Sequence, residues 1–225
     1  MLRVLVGGLA LAGLLAEVGK AQAGLRELLA RSTRGRPLFN GKNLDGWKAC
    51  EYFGEGVIQV KDGMIVINRG KIMSGVVYTR KDFPTMNYEL SLEARKVEGD
   101  DFFCTTTFPV GKSFCSLVVG GWGGGVVGLS NVDFQDASTN ETRKDMTFKA
   151  GQWYRIRIRV SQKRIEAWID REKVIDLDTT ERDLSIRVEC NACKPLGIAT
   201  WKTSANLRDL RVRPLTEAEK KQPRS

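Results

Sequence analysis

The sequence contains no histidine, and this absence excludes several common catalytic sites. Histidine is the usual general base near neutral pH and a frequent zinc ligand. Ser-His-Asp triads, Cys-His pairs and histidine-bound metal centres are therefore excluded. Any catalysis by this chain must use carboxylates, lysine, tyrosine or a metal ion that is held by oxygen atoms.

Proline is also scarce, with 6 residues among 225, while 42% of the residues are hydrophobic and 28% are charged. This is the composition of an ordinary globular protein. It excludes a disordered chain, a collagen-like fibre and a membrane protein with several spans. The length favours one domain of sandwich or barrel size.

The chain carries 36 Lys and Arg against 27 Asp and Glu, so its formal net charge is +9. The basic residues are scattered and alternate with acidic ones, without the basic stripe that is typical of nucleic-acid-binding proteins. We therefore expect no nucleic-acid partner. Attraction to anionic glycans is a milder interpretation of this charge.

A long apolar run lies at the N terminus, where Arg3 precedes the uncharged residues Val4 to Ala16, and Ala21-Gln22-Ala23 supplies a cleavage pattern. This arrangement predicts a signal peptide over residues 1–23, and therefore a secreted or periplasmic protein. The run is too short to span a bilayer comfortably, so we expect no stable membrane span after cleavage of the signal. An uncleaved N-terminal anchor helix is the alternative.

Export permits disulfides, and the chain has five cysteines: Cys50, Cys104, Cys115, Cys190 and Cys193. An odd number leaves at least one of them unpaired. Cys190 and Cys193 have the spacing of a redox motif without its structural context, so a small loop disulfide and free thiols both stay open.

The hydrophobic period changes along the rest of the chain. Leucines at helical spacing predict a short helix from Gly24 to Ser32, within a segment 24–37 that ends in a basic linker. Residues 38–215 show the period of two that is typical of β-strands, and residues 216–225 form a charged tail.

Short strands separated by turn signals fill the central segment. Asp62-Gly63 between two apolar runs predicts a hairpin, and Tyr88 to Ala94 alternates like a half-buried strand. Gln162-Lys163 predicts a two-residue turn that places Arg159 opposite Glu166. With no long helix in the pattern, we predict an all-β fold, an antiparallel β-sandwich or jelly roll.

A further turn is expected at Phe108-Pro109-Val110-Gly111, where proline is second and glycine is fourth. A hairpin centred there places Cys104 opposite Cys115. Side chains sit further apart in such a hydrogen-bonded pair, so a bridge between them stays open.

The segment Leu38 to Trp47 (LFNGKNLDGW) resembles the opening signature of the 3-keto-disaccharide hydrolase domain family. Later segments are similar to its hairpins and closing strand, namely Val60 to Gly63, Tyr88 to Arg95, Gln152 to Ile156, Ile165 to Asp170 and Asn206 to Val212. The resemblance covers roughly residues 38–215. It implies a concanavalin A-like β-sandwich, a carbohydrate partner and cleavage of keto-modified glycosides.

The implied chemistry needs a base near C2 of the sugar and a positive group near the developing enolate oxygen. Glu93 and Arg95 are our candidates for these catalytic roles, with Glu89 beside them. Residues two apart on a strand share one face, so these three side chains can line one groove. The alternative is a solvated face of weak ion pairs.

The most unusual segment is the glycine-rich stretch Gly120 to Gly125. We predict that it presents Trp122 for stacking on a sugar, while Asp133, Gln135 and Asp136 bind sugar hydroxyl groups. The alternative is a set of tight turns with Trp122 packed over the rim of the sandwich.

No cofactor is certain from the sequence, but a divalent metal such as calcium stays open because oxygen-bearing side chains cluster from Asn131 to Asn140. The spacing is not that of an EF-hand, since Asp136 and Thr142 replace the required Gly and Glu. The predicted function is that of an extracytoplasmic carbohydrate-active domain that cleaves 3-keto-glycosides by carboxylate-assisted elimination and hydration. The alternative is a non-catalytic glycan-binding or surface-interaction module, so whether the chain is an enzyme stays open.

Overall fold

The computed structural model of the chain describes residue 22 and residues 34–221. The chain divides into two compact units, Met1–Arg36 and Pro37–Ser225. Apart from residue 22, the predicted signal peptide and the predicted helix from Gly24 to Ser32 lie outside the described residues. Within the described part, no helix is both long enough and apolar enough to cross a membrane.

Two antiparallel sheets make up the second unit. Sheet I has the strand order β13-β12-β11-β6-β15-β4-β3, and sheet II has the order β10-β9-β8-β7-β14-β5-β2. The strands are β1 (Arg36–Pro37), β2 (Trp47–Ala49), β3 (Ile58–Lys61), β4 (Met64–Ile67), β5 (Met73–Tyr78), β6 (Tyr88–Glu98), β7 (Thr105–Val110), β8 (Ser113–Gly120), β9 (Val126–Ser130), β10 (Lys144–Asp145), β11 (Tyr154–Ser161), β12 (Arg164–Ile169), β13 (Glu172–Asp178), β14 (Gly197–Trp201) and β15 (Ser204–Pro214). Within residues 37–221, short helical segments span Gly121–Gly124, Val188–Cys193 and Glu217–Lys220. The predicted antiparallel β-sandwich is confirmed.

Alternating side chains explain how the two sheets pack. On β6, Leu90 and Leu92 face the core, and on β8, Leu117 and Val119 face the same core from the other sheet. The residues between them point outwards, because successive strand residues face opposite sides of a sheet. The outward residues of β6 and β8 therefore lie on opposite outer faces of the sandwich.

Two of the predicted hairpins have the expected register. β3 and β4 meet at Asp62-Gly63, where both residues have positive φ, as a tight two-residue hairpin turn requires. β11 and β12 meet at Gln162-Lys163 and place Arg159 opposite Glu166. Both predictions are confirmed. They are possible from sequence because neighbouring residues alone determine such tight turns.

The predicted turn between β7 and β8 is wrong by two residues. Val110 pairs with Ser113, so the turn lies at Gly111-Lys112, and Cys115 faces Phe108 instead of Cys104. β14 pairs with β7 only up to Thr107, so Pro109 lies beyond the paired part of that edge. A missing N–H is tolerated at such an edge, which is why proline continues the strand instead of starting the turn.

Candidate functional site

A cavity of about 250 Å³ opens on the outer face of sheet II. Outward-facing side chains of five strands form its floor, and the segments before β7, after β8 and before β14 form its walls. The lining residues are Met73, Asp101, Phe102, Thr105, Ser116, Val118, Trp122, Ser130, Arg187, Glu189, Cys190 and Trp201. The cavity lies just below the roughly 300–1,000 Å³ of pockets that take drug-sized ligands, so it suits a small ligand such as a sugar ring.

The floor of the cavity carries hydroxyl groups on neighbouring strands. Ser116 pairs across the strands with Ser130 on one side and Thr107 on the other, and its Oγ lies 2.9 Å from Thr107 Oγ1. Thr105 is 2% exposed, and its Oγ1 has no hydrogen-bond partner among the described residues. A buried hydroxyl without a partner is unfavourable, so Thr105 can gain a hydrogen bond from a polar ligand.

Three aromatic side chains form one side of the cavity. The rings of Phe102 and Trp201 have centroids 6.1 Å apart, and Trp122, which is 44% exposed, lines the same cavity. Trp122 lies in the tight turn Gly121–Gly124, which begins at Gly120 with φ of 78°. A side chain at Gly120 would lie within 3.2 Å of Phe103, so this position accepts glycine best.

Arg187 and Glu189 are charged side chains that line the same cavity. Arg187 Nη2 donates to Glu189 Oε1 at 3.0 Å, and Arg187 Nη1 donates to Asp136 Oδ2 at 3.1 Å. The hydrogen bond from Arg187 lowers the pKa of Glu189 below its ordinary value, and the same bond raises the pKa of Arg187. Glu189 is therefore an ionised carboxylate at neutral pH, beside a guanidinium and within the same cavity as the aromatic side chains.

The four predicted sugar-binding residues separate in the structure. Trp122 lines the cavity, and Asp136 contacts it indirectly through Arg187. Asp133 and Gln135 are not among the side chains that line it. Asp133 instead accepts hydrogen bonds from Arg182 and from the main chain of residue 183, and Gln135 is exposed. Sugar binding by these four residues stays a prediction, and the geometry favours Trp122 most directly.

The three predicted catalytic residues share one face, but that face is the outer face of sheet I. Glu93 Oε2 accepts a hydrogen bond from Arg208 Nε at 2.6 Å. Arg95 and Arg208 stack on the Trp153 ring, with distances from Cζ to the ring centroid of 4.8 and 3.9 Å. The charges of Glu93 and Arg95 are thus engaged in local pairs, on the opposite side of the sandwich from the cavity.

Glu89 is the centre of a buried ion-pair network on the same face. Its Oε2 lies 2.9 Å from Arg159 Nη2, 3.0 Å from Arg213 Nη2 and 3.7 Å from Arg157 Nη1. The residue is only 7% exposed. A catalytic role for Glu89, Glu93 or Arg95 stays a prediction, while these contacts favour a role in holding sheet I together.

The predicted charged tail begins with a capped helical turn that contributes to this network. Thr216 and Glu219 form a capping box at Glu217–Lys220. Glu219 Oε1 accepts from Arg213 Nη2 at 2.7 Å and from Arg159 Nη2 at 3.0 Å. Hydrogen bonds donated by Arg213 lower the pKa of Glu219 to about 2.

Glu219 is therefore expected to stabilise the fold in a pH-dependent way. Its pKa is lower in the folded state than in the unfolded state, so its contribution is present above about pH 4.5 and is lost as the pH falls towards 2. We expect Glu219→Gln to lower the free energy of unfolding at pH 7 by about 2 kcal/mol and to change it little at pH 2. Urea unfolding at several pH values measures this.

Glu217→Gln is the matched control, because Glu217 is exposed in the same helical turn and pairs only with Lys220 among the contacts described. It should lower the stability by less than about 1 kcal/mol at every pH. Equal effects of the two substitutions would contradict the assigned role of Glu219.

The polar loop from Asn131 to Asn140 uses its side chains to hold its own shape. Asn140 Nδ2 donates to three main-chain oxygens, and Asp136 Oδ1 accepts from the main chain and hydroxyl of Ser138. Among the residues that the structure describes, no group of three or more His, Cys, Asp or Glu side chains is arranged to hold a metal ion. A divalent metal stays a prediction.

The family of the chain follows from its sequence as a whole. The family model of the 3-keto-alpha-glucoside-1,2-lyase-like domain matches residues 35–213. The chain belongs to this family. The resemblance of Leu38 to Trp47 to the opening signature is thereby confirmed. No curated protein is significantly similar to the chain.

Solved structures show the fold of this lyase-like domain. A protein from Parabacteroides distasonis that is described as a glycosyl hydrolase has 14% identity and a TM-score of 0.51, over 82% of this chain and 96% of its own. A carbohydrate esterase of the Shiga toxin-encoding bacteriophage phi24B has 11% identity and a TM-score of 0.52, over 81% of this chain and 100% of its own. At such identities the likeness shows the fold alone. The family match indicates a carbohydrate-active domain.

Sequence reasoning missed most of the cavity. Thr105, Trp201, Arg187 and Glu189 belong to no recognisable motif, and they come from segments far apart in the chain. One signal was present: β5 reads MSGVVY and is buried along its whole length. A strand without charged residues on either face indicates that its outer face is covered as well.

Proposed function

We propose that the lyase-like domain binds a 3-keto-glycoside in the cavity on sheet II and cleaves its glycosidic bond. One observation carries this proposal, namely that the ion pair of Arg187 and Glu189 lies in the same cavity as three aromatic side chains. Aromatic rings stack on the apolar face of a sugar, and the charged groups bind its oxygen atoms. The family match supports the substrate class.

The reaction follows from the acidity of the proton at C2, which lies next to the 3-keto group. Glu189 takes this proton, and the electron pair of the C–H bond forms an enolate whose negative charge lies on the keto oxygen. The enolate then collapses to the ketone, its electron pair forms the C1–C2 double bond, and the glycosidic C1–O bond breaks. The leaving oxygen keeps the bonding pair and takes a proton from water. Arg187 stabilises the negative charge that develops on the keto oxygen. Addition of water across the double bond then yields the free 3-keto sugar.

A non-catalytic glycan-binding module is the second candidate, and the same ion pair favours it. Arg187 contacts both Glu189 and Asp136, so its charge is largely neutralised. The lowered pKa of Glu189 also makes this carboxylate a weaker base. A ligand must displace part of these contacts before Arg187 and Glu189 can act on it.

Incubation of the purified full-length protein with a 3-keto-α-glucoside distinguishes the two functions. Release of free 3-keto sugar, followed by chromatography, supports cleavage. Calorimetric binding of the same compound without release supports the binding module instead. Parallel reactions with a chelator, and with added calcium, test the dependence on a divalent metal. If the protein neither binds the compound nor releases free 3-keto sugar, the proposal is contradicted.

Trp122→Ala is expected to weaken binding of the 3-keto-α-glucoside about tenfold or more, because the substitution removes an aromatic surface that covers the sugar. Isothermal titration calorimetry measures the affinity. Trp153→Ala is the matched control, since the Trp153 ring stacks with Arg95 and Arg208 on the other face of the sandwich. Equal losses of affinity would place the sugar outside the cavity.

A further inference from the structure

Two cysteines that are far apart in sequence meet on the outer face of sheet II. Cys50 follows β2, and Cys193 ends the helical segment Val188–Cys193. Their Sγ atoms lie 3.5 Å apart, across 143 residues of sequence. Both side chains are buried, at 5% and 0% exposure.

The structure around the two sulfur atoms allows a covalent bond. A disulfide needs its sulfurs about 2.05 Å apart, so the two sulfur atoms must move about 1.5 Å closer together to form the bond. Met73, Val77 and Ala199 pack around the pair as a small apolar cluster. A bond between Cys50 and Cys193 would replace a contact that already exists.

The other three thiols have different neighbours. Cys104 Sγ lies 3.7 Å from the Thr106 hydroxyl, and Cys115 Sγ lies 3.9 Å from the main-chain oxygen of residue 130. Cys190 contacts the hydroxyl groups of the cavity floor. Among the described residues, a contact between two cysteine sulfur atoms is thus seen for Cys50 and Cys193.

We propose that Cys50 and Cys193 form a disulfide as the chain folds in the presence of a thiol–disulfide oxidant such as oxidised glutathione. The thiolate of one of these two cysteines attacks one sulfur of the oxidant, which forms a mixed disulfide and releases one glutathione thiolate. The other cysteine loses its proton to solvent and attacks the protein sulfur of the mixed disulfide, which releases the second glutathione. Two protein thiols are oxidised, and one glutathione disulfide is reduced.

The burial of the two sulfur atoms indicates when these steps can occur. Because both sulfurs are buried, the oxidant reaches them only before the segment Val188–Cys193 has closed over the sheet. The bond forms during folding and is then protected from reductants.

This disulfide supports one wall of the cavity. The Tyr52 hydroxyl donates to the main-chain oxygen of Glu189 at 2.9 Å and lies 3.2 Å from Cys193 Sγ. Linking Cys50 to Cys193 therefore ties the helical segment that carries Glu189 to sheet II. The disulfide does not depend on the proposed activity, since it follows from the contact of the sulfur atoms alone.

Refolding of the full-length, reduced chain in a mixture of oxidised and reduced glutathione tests the proposal. Ellman's reagent in denaturant should find three thiols per chain, and peptide mapping without reduction should find the Cys50 peptide joined to the Cys193 peptide. Closing so long a loop should also raise the melting temperature by roughly 10 °C over that of the reduced protein. Five thiols, or a different pair of joined peptides, would overturn the proposal.

Two variants provide the matched comparison. After the same refolding, Cys50→Ala should retain four thiols and show no rise in melting temperature on oxidation. Cys104→Ala, which removes a thiol from the main core, should retain two thiols and keep the rise. If a variant fails to fold, the peptide map of the unsubstituted chain still decides the result.

Discussion

Glu89→Gln is expected to lower the free energy of unfolding by about 3 kcal/mol or more. The substitution removes the negative charge that lies within 4 Å of the guanidinium groups of Arg157, Arg159 and Arg213. Removing one partner of a buried ion pair is strongly destabilising because the remaining charge stays desolvated without compensation. Glu219 and Glu166 still contact Arg159, so the network is weakened rather than abolished.

Glu93→Gln is the matched control for this measurement. Glu93 lies four residues further along the same strand face, and it pairs with Arg208 where both side chains are about a third or more exposed. An exposed pair contributes about 0–1 kcal/mol, so this substitution should have a small effect. Urea unfolding of both variants gives the comparison. If Glu93→Gln were as destabilising as Glu89→Gln, burial would not be the cause.

This pair of residues shows where prediction from sequence ends. The alternation along β6 correctly predicts that Glu89 and Glu93 face away from the core. It does not predict that β15 and the helical turn Glu217–Lys220 cover Glu89 and leave Glu93 only half-buried. Burial of an outward residue depends on segments that are distant in sequence, whereas the alternation is local.

The same distinction explains the remaining predictions. The hairpins at Asp62-Gly63 and Gln162-Lys163 have the predicted register because adjacent residues determine a tight turn. The cavity on sheet II assembles side chains from five strands and from the segment around Arg187 and Glu189. Their meeting depends on the strand order of the sheet, which no local pattern encodes. Trp122 is the lining residue that the sequence does predict, because its glycine-rich turn is a local pattern.

Glu189→Gln is expected to lower kcat for cleavage of a 3-keto-α-glucoside by about a thousandfold. The substitution keeps the size of the side chain and removes the base, and general base catalysis contributes about 10²–10⁴-fold. The affinity for the substrate should change much less, because the amide of glutamine still binds hydroxyl groups. Single-turnover kinetics beside calorimetry separate the two quantities.

The pH profile of the unsubstituted protein tests the same assignment. A carboxylate base must be deprotonated, so the rate falls as the pH drops below the pKa of the base. Arg187 lowers the pKa of Glu189 below its ordinary value. On the acidic side of the pH profile, the rate should therefore fall only below about pH 5 and stay level above it. A rate that instead rose through pH 6 to 7 would contradict Glu189 as the base.

Glu93→Gln also decides between the two faces of the sandwich. If the cavity on sheet II is the active site, this variant keeps its kcat, since Glu93 lies on the outer face of sheet I and pairs with Arg208. If Glu93→Gln abolishes cleavage while Glu189→Gln does not, the base lies on sheet I and the sequence-based assignment of Glu93 is correct. Glu93 and Glu189 lie on opposite faces of one core, so a single substrate cannot contact both carboxylates. If the enzyme has one active site, one of the two variants must therefore remain active.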